Sequence, residues 1–348
     1  MGERITIRRP DDWHTHLREN EMLKWVLPYS NVFGRVVAIG NLNRPIVDAY
    51  DVKKYRMEIL RQKPRFQPVM SIMLVKQTTP QIICRAFEEG ARVLKFIPAD
   101  TSTGSQEGIS LINLKDYYPV LEMAERLVMI FSGHWELTKD PETARVIPEL
   151  EREEAALPYL KKVIDDFPNL KIVVEHVSTA KMIYFIEKAP ANVAATLTAH
   201  HIGPAYYPNV FNEKGEIEEP FYYCRPVIKN IKDADAVMRA MTSGNPKFFF
   251  GSDSAPHPIE KKLKNPPAAG IFSAPVALVW VWTAFQHRNN GKELFENFIS
   301  RSGAEFYGLP LNNNYLTLVK QKWTVPKTYN GIVPFLAGFK LYWQIAEQ

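Results

Sequence analysis

The stretch Lys247-Phe248-Phe249-Phe250-Gly251-Ser252-Asp253 shows the pattern that decides the fold, a short apolar run that ends in polar residues. Three consecutive phenylalanines leave no polar face, which is typical of a strand covered on both sides by other elements. Similar runs recur at intervals that leave room for helices between them. Together they make eight: Ile5 to Ile7, Arg35 to Ile39, Pro68 to Leu74, Val93 to Ile97, Leu127 to Phe131, Lys171 to Val174, Val193 to Leu197 and Lys247 to Phe250.

Longer stretches with helical spacing separate these runs, among them Val47 to Gln62, Leu114 to Arg126, Leu150 to Asp166 and Val227 to Thr242. Eight strand–helix units predict a closed (β/α)8 TIM barrel of the α/β class. An open doubly wound sheet would show a glycine-rich phosphate turn after its first strand, and the sequence has none.

The predicted barrel accounts for most of the chain. We therefore predict a single domain over 1–348, without a separate sandwich domain. Its strand–helix units occupy about 5–305, and a C-terminal tail follows at 306–348. Within that tail we expect Asn312 to Tyr329 to be polar and irregular, and Ile332 to Tyr342 to be an apolar closing segment.

Composition narrows the class of protein. The 348 residues are 46% hydrophobic and 23% charged, which is enough to bury a large core and excludes a disordered or fibrous chain. A net charge of +5 without a long basic run gives no sign of a nucleic-acid partner.

Two cysteines and no secretory signal predict a cytoplasmic protein. The apolar stretch Ala268 to Phe285 predicts a buried helix rather than a membrane span.

Histidines stand at the ends of several runs. His14 and His16 are one residue apart, so in an extended chain both point to the same side and can reach one metal ion. His134, His176 and Asp253 follow the fifth, sixth and eighth runs. Each alone could be a hydrogen-bonding residue at a strand end. At the common carboxyl rim of a barrel, however, imidazoles and a carboxylate predict a site for zinc or a similar divalent metal.

Lys95 ends the fourth run, within Val93-Leu94-Lys95-Phe96. Burial and neighbouring metal ions both disfavour an ammonium at this position. A neutral amine could react with carbon dioxide to give a carbamate, whose two anionic oxygens could bridge two cations. A lysine that reaches solvent from the strand end is the alternative that the sequence leaves open.

Three motifs give the chain a specific resemblance, namely RRPDDWHTHLR at Arg8 to Arg18, GSDSAPH at Gly251 to His257 and FYGLP at Phe306 to Pro310. By these residues the chain resembles the amidohydrolase superfamily and, within it, the short bacterial dihydroorotases. The resemblance extends over nearly the whole sequence, as far as Val333 to Gly338. It implies a zinc-dependent, usually homodimeric enzyme that converts dihydroorotate and water reversibly into N-carbamoyl-L-aspartate in de novo pyrimidine biosynthesis.

The same resemblance implies roles for individual residues. Two Zn²⁺ ions per chain are implied, the first bound by His14 and His16 with Asp253. N6-carboxylated Lys95 bridges the ions, and Asp253 acts as general acid and base. The complete implied ligand set is His14, His16, Lys95, His134, His176 and Asp253.

A second implied set contacts the substrate: Arg18, Asn41, Ser102, Thr103, Arg225, His257, Ala269 and Gly270. Arg18 follows His16 on the same alternation, so its guanidinium can pair with the ring carboxylate. Arg18 could instead form a surface ion pair, and Asn41 could be a turn residue. Ser102 stands where relatives have threonine, and Arg225 where they have leucine, so a second cation near the site is an open alternative.

Two other functions are open to the same fold. Another cyclic-amide hydrolase, such as a hydantoinase or allantoinase, would use the same metal centre, but such enzymes usually carry a sandwich domain built partly from residues before the histidine pair. Here the pair starts at His14, which leaves no room for it. A non-catalytic barrel that assembles with other pyrimidine enzymes would be indicated by loss of a ligand or of Asp253, and none is lost.

Overall fold

Eleven strands occur in the part of the chain that the computed structural model describes, residues 2–99, 101, 106–203 and 209–346. In chain order they are β1 Arg4–Arg8, β2 Asp12–Thr15, β3 Arg35–Ala38, β4 Gln67–Met73, β5 Ala91–Phe96, β6 Ile130–Gly133, β7 Ile172–Val174, β8 Val193–Leu197, β9 Phe248–Phe250, β10 Tyr315–Thr324 and β11 Lys340–Ile345. Strands β2 to β9 are hydrogen-bonded in sequence order, and all their pairings are parallel.

The sheet closes on itself just beyond β9. The backbone N–H of Asp253 donates to the carbonyl of His14 at 2.9 Å, and the N–H of His16 donates to the carbonyl of Ser254 at 2.9 Å. The segment after β9 therefore pairs with β2, the first strand of the same sheet. This closure confirms the predicted (β/α)8 barrel.

Helices cover the outside of the barrel. They are α1 Asn20–Ser30, α2 Ala49–Arg61, α3 Pro80–Glu88, α4 Tyr118–Arg126, α5 Arg152–Ala155, α6 Leu157–Asp166, α7 Ala180–Lys188, α8 Ile231–Met241, α9 Ile259–Lys262, α10 Ala277–Phe285, α11 Gly291–Glu296 and α12 Ser302–Phe306. Several begin at a residue whose side chain accepts a backbone N–H of the first turn, as Thr79 does for α3 and Thr179 for α7. Among the described residues, no helix is both long and apolar enough to cross a membrane.

The first apolar run lies outside the barrel, so the prediction that Ile5 to Ile7 is its first strand is wrong. These residues belong to β1, which pairs antiparallel with β10, while β10 pairs with β11 in a separate three-stranded sheet. The first barrel strand is β2, which contains His14 and ends one residue before His16. Its polar residues are fully buried because they form the site, and this hides the strand from an apolar pattern.

The C-terminal region also differs from the prediction. Ten residues of the stretch expected to be irregular form β10, in which Leu316 and Leu318 are buried on one face. This alternation is a strand signal of period two that the polar composition of the region obscures. The small sheet joins the N-terminal and C-terminal parts of the chain, because β1 pairs with β10 and β10 pairs with β11.

Two apolar layers hold the barrel together. The outer layer lies between the strands and the surrounding helices. The inner layer has one or more residues from each barrel strand: Trp13, Val37, Ile39, Val69, Val93, Ile130, Val173, Ala194 and Phe249. Trp13 stacks on Tyr307 with ring centroids 4.1 Å apart, and a Cβ at Gly303 would lie 2.0 Å from the Trp13 indole nitrogen. The region around α12 thus packs closely against the interior.

Asp11 and Arg35 form a buried ion pair beside this layer. Arg35 Nε donates to Asp11 Oδ1 at 3.0 Å and Arg35 Nη2 donates to Asp11 Oδ2 at 2.6 Å. Asn312 adds a third hydrogen bond to Asp11 Oδ1 at 2.8 Å. The pair therefore joins β3 to the residues that precede β2 and β10.

We expect Arg35→Leu to lower the free energy of unfolding by about 3–5 kcal/mol, because it leaves the Asp11 carboxylate buried without its cation. Urea denaturation followed by circular dichroism measures this change. The double variant Asp11→Asn/Arg35→Leu should recover part of the loss. A loss below about 1 kcal/mol in the single variant would contradict the assigned role of the pair.

Candidate metal centre and active site

Five of the predicted ligand side chains lie together at the carboxyl rim of the barrel. His14 lies in β2 and His16 directly after it, while His134, His176 and Asp253 follow β6, β7 and β9. All five side chains are buried. Because parallel strands end at the same rim, residues far apart in sequence meet here.

The first group consists of His14, His16 and Asp253. The Nε2 atoms of the two histidines are 3.4 Å apart, and each lies 3.3 Å from Asp253 Oδ1. Their ligand atoms are close enough to one another to hold a single metal ion.

The second group, His134 and His176, adjoins the first. His134 Nδ1 lies 3.2 Å from His176 Nε2, and the ring centroids of His14 and His176 are 5.1 Å apart. Two adjacent sets of imidazole nitrogens thus face a shared space at the rim.

Three of these histidines have an outer oxygen partner. His14 Nδ1 donates to Glu175 Oε2 at 2.6 Å, and His134 Nε2 donates to Glu136 Oε2 at 2.7 Å. Asn41 Oδ1 accepts from the remaining nitrogen of His16 at 2.6 Å. Such partners fix the tautomer, so the opposite nitrogen presents its lone pair to a metal. Glu136 and Glu175 are not among the residues predicted from the sequence, although each stands within two residues of a predicted ligand.

Glu175 connects several strands of the barrel. Besides His14, it accepts hydrogen bonds from the hydroxyls of Ser132 and Thr196, the latter at 2.6 Å. Burial alone would raise the pKa of this carboxyl, but His14 and Lys95 outweigh it and lower the pKa to about 2. Glu175 is therefore ionised in the folded protein.

Lys95, predicted to be a ligand, points into the same buried region from β5. Its side chain is 1% exposed, and its Nζ has no hydrogen-bond partner among the described residues. Glu175 Oε1 lies 3.8 Å away. Burial lowers the pKa of Lys95 against the opposing effect of Glu175 and Asp253, which favours a neutral, reactive amine.

These residues fit a divalent-metal centre. Two imidazole lone pairs at 3.2–3.4 Å repel one another unless a cation or a proton lies between them. In His14, His16 and His134 the ring nitrogen on the far side already donates its hydrogen to an outer oxygen partner, so the nitrogen that faces the neighbouring histidine carries the lone pair. The donor set of imidazole nitrogen and carboxylate oxygen is the one that zinc prefers.

A second buried group, His200, His201 and Cys224, fits a metal less well. Both ring nitrogens of His201 already have partners, Thr198 Oγ1 at 2.7 Å and the carbonyl of Pro226 at 3.0 Å. Burial raises the pKa of the Cys224 thiol, which disfavours the thiolate that a metal needs. His200 Nε2 instead lies 3.8 Å from Asp253 Oδ2.

A pocket opens beside the first metal group. It is lined by His16, Arg18, Asn41, Arg225, Asp253, Ala255, His257, Ala269 and Gly270. This set includes every described residue that the sequence analysis assigned to the substrate, whereas Ser102 and Thr103 lie outside the described residues. A cleft of about 480 Å³ continues outward past Arg18 and His257.

Arg18 is held firmly at one side of this pocket. Its Nε donates to the carbonyl of Pro256 at 2.9 Å, and its Nη2 lies 3.1 Å from His257 Nε2. The backbone carbonyl of Arg18 accepts a hydrogen bond from the Tyr55 hydroxyl at 2.7 Å. Burial lowers the pKa of Arg18 to about 10, so the guanidinium stays charged at neutral pH.

His257 lines the same pocket as a neutral imidazole. Its Nε2 lies 3.0 Å from the carbonyl of Ala269. Burial, with Arg18 and Lys262 adding to it, lowers the pKa of His257 to about 2. Arg18 therefore supplies the positive charge of this pair.

The Arg225 side chain is turned towards other residues rather than towards the ligands. Nη2 donates to Glu149 Oε1 at 2.8 Å, Nη1 to the carbonyl of Thr101 at 2.9 Å and Nε to the Tyr223 hydroxyl at 3.0 Å. Arg225, which the sequence left open as a second cation near the site, is thus paired with the Glu149 carboxylate.

Gly270 forms part of the pocket wall. Its φ of +145° is rarely adopted by residues with a side chain, and a Cβ would lie 2.5 Å from the carbonyl oxygen of Ala255 and 3.0 Å from His257 Cδ2. Only glycine lets this backbone approach His257 so closely.

No protein-family model matches the chain. The dihydroorotase of Pseudomonas savastanoi pv. phaseolicola is 37% identical over 357 residues, covering 100% of this chain and 99% of that protein. The crystal structure of Saccharomyces cerevisiae dihydroorotase in complex with 5-fluoroorotic acid has a TM-score of 0.90 at 30% identity, covering 99% of this chain and 98% of that one. The Campylobacter jejuni dihydroorotase structure has a TM-score of 0.86 at 30% identity, with coverage of 100% and 98%. From this similarity over its whole length, the chain belongs to the dihydroorotase family.

Proposed function

We propose that this protein catalyses the reversible hydrolysis of dihydroorotate to N-carbamoyl-L-aspartate in pyrimidine biosynthesis. The observation that carries the proposal is that the histidine–aspartate cluster and the cationic Arg18 open onto one pocket. A metal-ligand set beside a fixed positive charge suits a cyclic amide that bears a carboxylate. Family membership supports the same reaction.

Two zinc ions per chain are part of this proposal. His14, His16 and Asp253 would hold the first ion, and the pair of histidines beyond them, His134 and His176, would hold the second. Lys95, carboxylated on its side-chain nitrogen, would supply oxygen ligands to both ions. Burial lowers the pKa of its amine, which favours the unprotonated form that reacts with carbon dioxide. When bound, the ions polarise the amide carbonyl and make water a stronger nucleophile at neutral pH.

Asp253 moves the proton in this scheme. Burial would raise the pKa of its carboxyl, but the adjacent His14 and His16 lower it well below the ordinary value, so the group is ionised. It takes a proton from the attacking water and delivers it to the ring nitrogen as the carbon–nitrogen bond breaks. In ring closure the same carboxylate takes the proton from the carbamoyl nitrogen.

Arg18 binds the ring carboxylate of the substrate through a charge-assisted hydrogen bond. Asn41 and His257 complete this end of the pocket as uncharged partners. The backbone at Arg225, Ala269 and Gly270 contacts the ring. Because Arg18 is anchored to Pro256 before the substrate enters, little side-chain entropy is lost on binding.

We further propose that the protein acts as a homodimer in the cytoplasm. Both of its cysteines, Cys84 and Cys224, belong to the described residues and are free thiols. A reducing compartment suits such a chain.

Comparison of three cyclic amides tests the proposed reaction. The zinc-loaded protein should open dihydroorotate with a kcat/KM at least about 100-fold above that for hydantoin or allantoin, neither of which presents the same carboxylate to Arg18. Metal analysis of the same sample should give close to two zinc equivalents per chain. Preference for hydantoin or allantoin, or activity without bound metal, would contradict the proposal.

Asp253→Asn removes the proton acceptor but keeps a side-chain oxygen at the same place. We expect kcat for dihydroorotate to fall roughly 100- to 10,000-fold, with most of the zinc retained. Steady-state kinetics and metal analysis measure the two effects. Asp165→Asn, at an exposed position on α6, serves as the matched control. Activity close to wild type in Asp253→Asn would exclude the acid–base role.

Arg18→Ala removes the counter-charge of the substrate carboxylate. We expect KM for dihydroorotate to rise about 10- to 100-fold, whereas binding of dihydrouracil, which lacks the carboxylate, should hardly change. Inhibition and initial-rate measurements give both quantities. The exposed Arg44→Ala variant is the control for loss of a surface cation. Equal losses for both rings would rule out the assigned contact.

A further inference from the structure

A lysine behind the pocket has a buried ammonium group. Lys262, the last residue of α9, is 4% exposed. Its Nζ donates to three carbonyl oxygens, those of Tyr223 at 2.9 Å, Ala268 at 2.9 Å and Gly270 at 2.7 Å. An ammonium has three N–H donors, so its hydrogen-bonding capacity is fully used.

The three carbonyls belong to two backbone segments that form the pocket wall. Tyr223 precedes the pocket residue Arg225 by two positions, and Ala268 and Gly270 flank the pocket residue Ala269. The segments are also joined directly, because the N–H of Gly270 donates to the carbonyl of Tyr223 at 3.0 Å. Lys262 thus lies where the two segments meet.

The cation matters because three carbonyl oxygens converge on one point. Their partial negative charges repel one another, and a buried ammonium between them offsets that repulsion. Burial lowers the pKa of Lys262 to about 7, and the hydrogen bonds to all three carbonyl oxygens favour its ammonium form. Each partner therefore fixes the position of the others.

Building on the proposed function, we propose that Lys262 is a positioning residue: its ammonium holds the 223–225 and 268–270 segments at the separation that the dihydroorotate ring requires. It sets the affinity for the substrate through the backbone and contacts neither the substrate nor the zinc ions. No residue of the metal cluster is among its hydrogen-bond partners.

Two substitutions separate the charge from the hydrogen bonds. Lys262→Met keeps the length of the side chain and removes both, whereas Lys262→Gln keeps two N–H donors without the charge. Lys264→Met, at an exposed position two residues further on, is the matched control. Each variant is prepared with zinc, and its metal content is measured.

We expect Lys262→Met to raise KM for dihydroorotate about ten-fold or more, because a shift of the pocket wall misplaces the ring. The decrease in kcat should be smaller than the increase in KM, and the zinc content should not change. Lys262→Gln should give a smaller rise in KM, and Lys264→Met none. A lysine with a purely structural role would lower the melting temperature and leave KM unchanged.

Hydrogen–deuterium exchange gives a readout that does not depend on turnover. In Lys262→Met the amides of residues 268–271 should exchange faster than in the wild type, while those of β2 should not. If Lys262→Met fails to fold, Lys262→Gln decides by the same two measurements. A KM within about two-fold of wild type in a folded variant, with unchanged exchange at 268–271, would overturn the positioning role.

The outcomes also separate this inference from the proposed function. Wild-type protein that opens no dihydroorotate would contradict the proposed reaction. Wild-type activity, together with an unchanged KM and unchanged exchange in the Lys262 variants, would contradict the role of Lys262 alone.

Discussion

Closure of the barrel between β2 and the segment after β9 is the constraint on which the site depends. The backbone hydrogen bonds that link Asp253 to His14 and His16 to Ser254 close the sheet, and three of the four residues that they join form the first metal group. Gly251 makes this approach sterically feasible, since a Cβ there would lie 2.9 Å from Thr196 Cβ and 3.0 Å from His14 Cβ. A barrel that did not close would leave the histidine pair without its aspartate.

Burial acts in opposite directions on the pKa values of two neighbouring groups at the rim, Glu175 and Lys95. Burial would raise the pKa of Glu175, but His14, which also hydrogen-bonds to it, outweighs that effect and keeps it ionised. In Lys95, by contrast, burial lowers the pKa towards the neutral amine despite the pull of the same carboxylate. One enclosed environment thus yields an anion that orients a ligand and an amine that can be modified. Hydrogen bonds add to this difference: Glu175 accepts them from His14, Ser132 and Thr196, while Lys95 Nζ has none from the described residues.

The sequence predicted the features that depend on local pattern. Apolar runs located β3 to β9, and the residues that follow them located the rim. It failed where burial and polarity coincide, as in β2, whose four residues are all buried although three of them are polar. It also could not show that Asn41 contacts His16, or that Lys262 is buried inside the charged run Glu260 to Lys264, because such contacts join residues that only the closed fold brings together.

Backbone strain at the rim follows from the same geometry. Arg18, His176 and Asp253 all have φ between +42° and +59°, a region that costs residues with side chains about 1–3 kcal/mol each. Each is held there by a separate hydrogen bond. The Tyr55 hydroxyl donates to the Arg18 carbonyl, and the backbone N–H of His176 donates to the Thr196 hydroxyl oxygen. The backbone N–H of Asp253 donates to the His14 carbonyl. The strained residues are those proposed to bind the substrate carboxylate and the metals, whereas their anchors lie in strands and a helix. The stability of the barrel and α2 therefore maintains a side-chain arrangement at the rim that the local sequence would not adopt by itself.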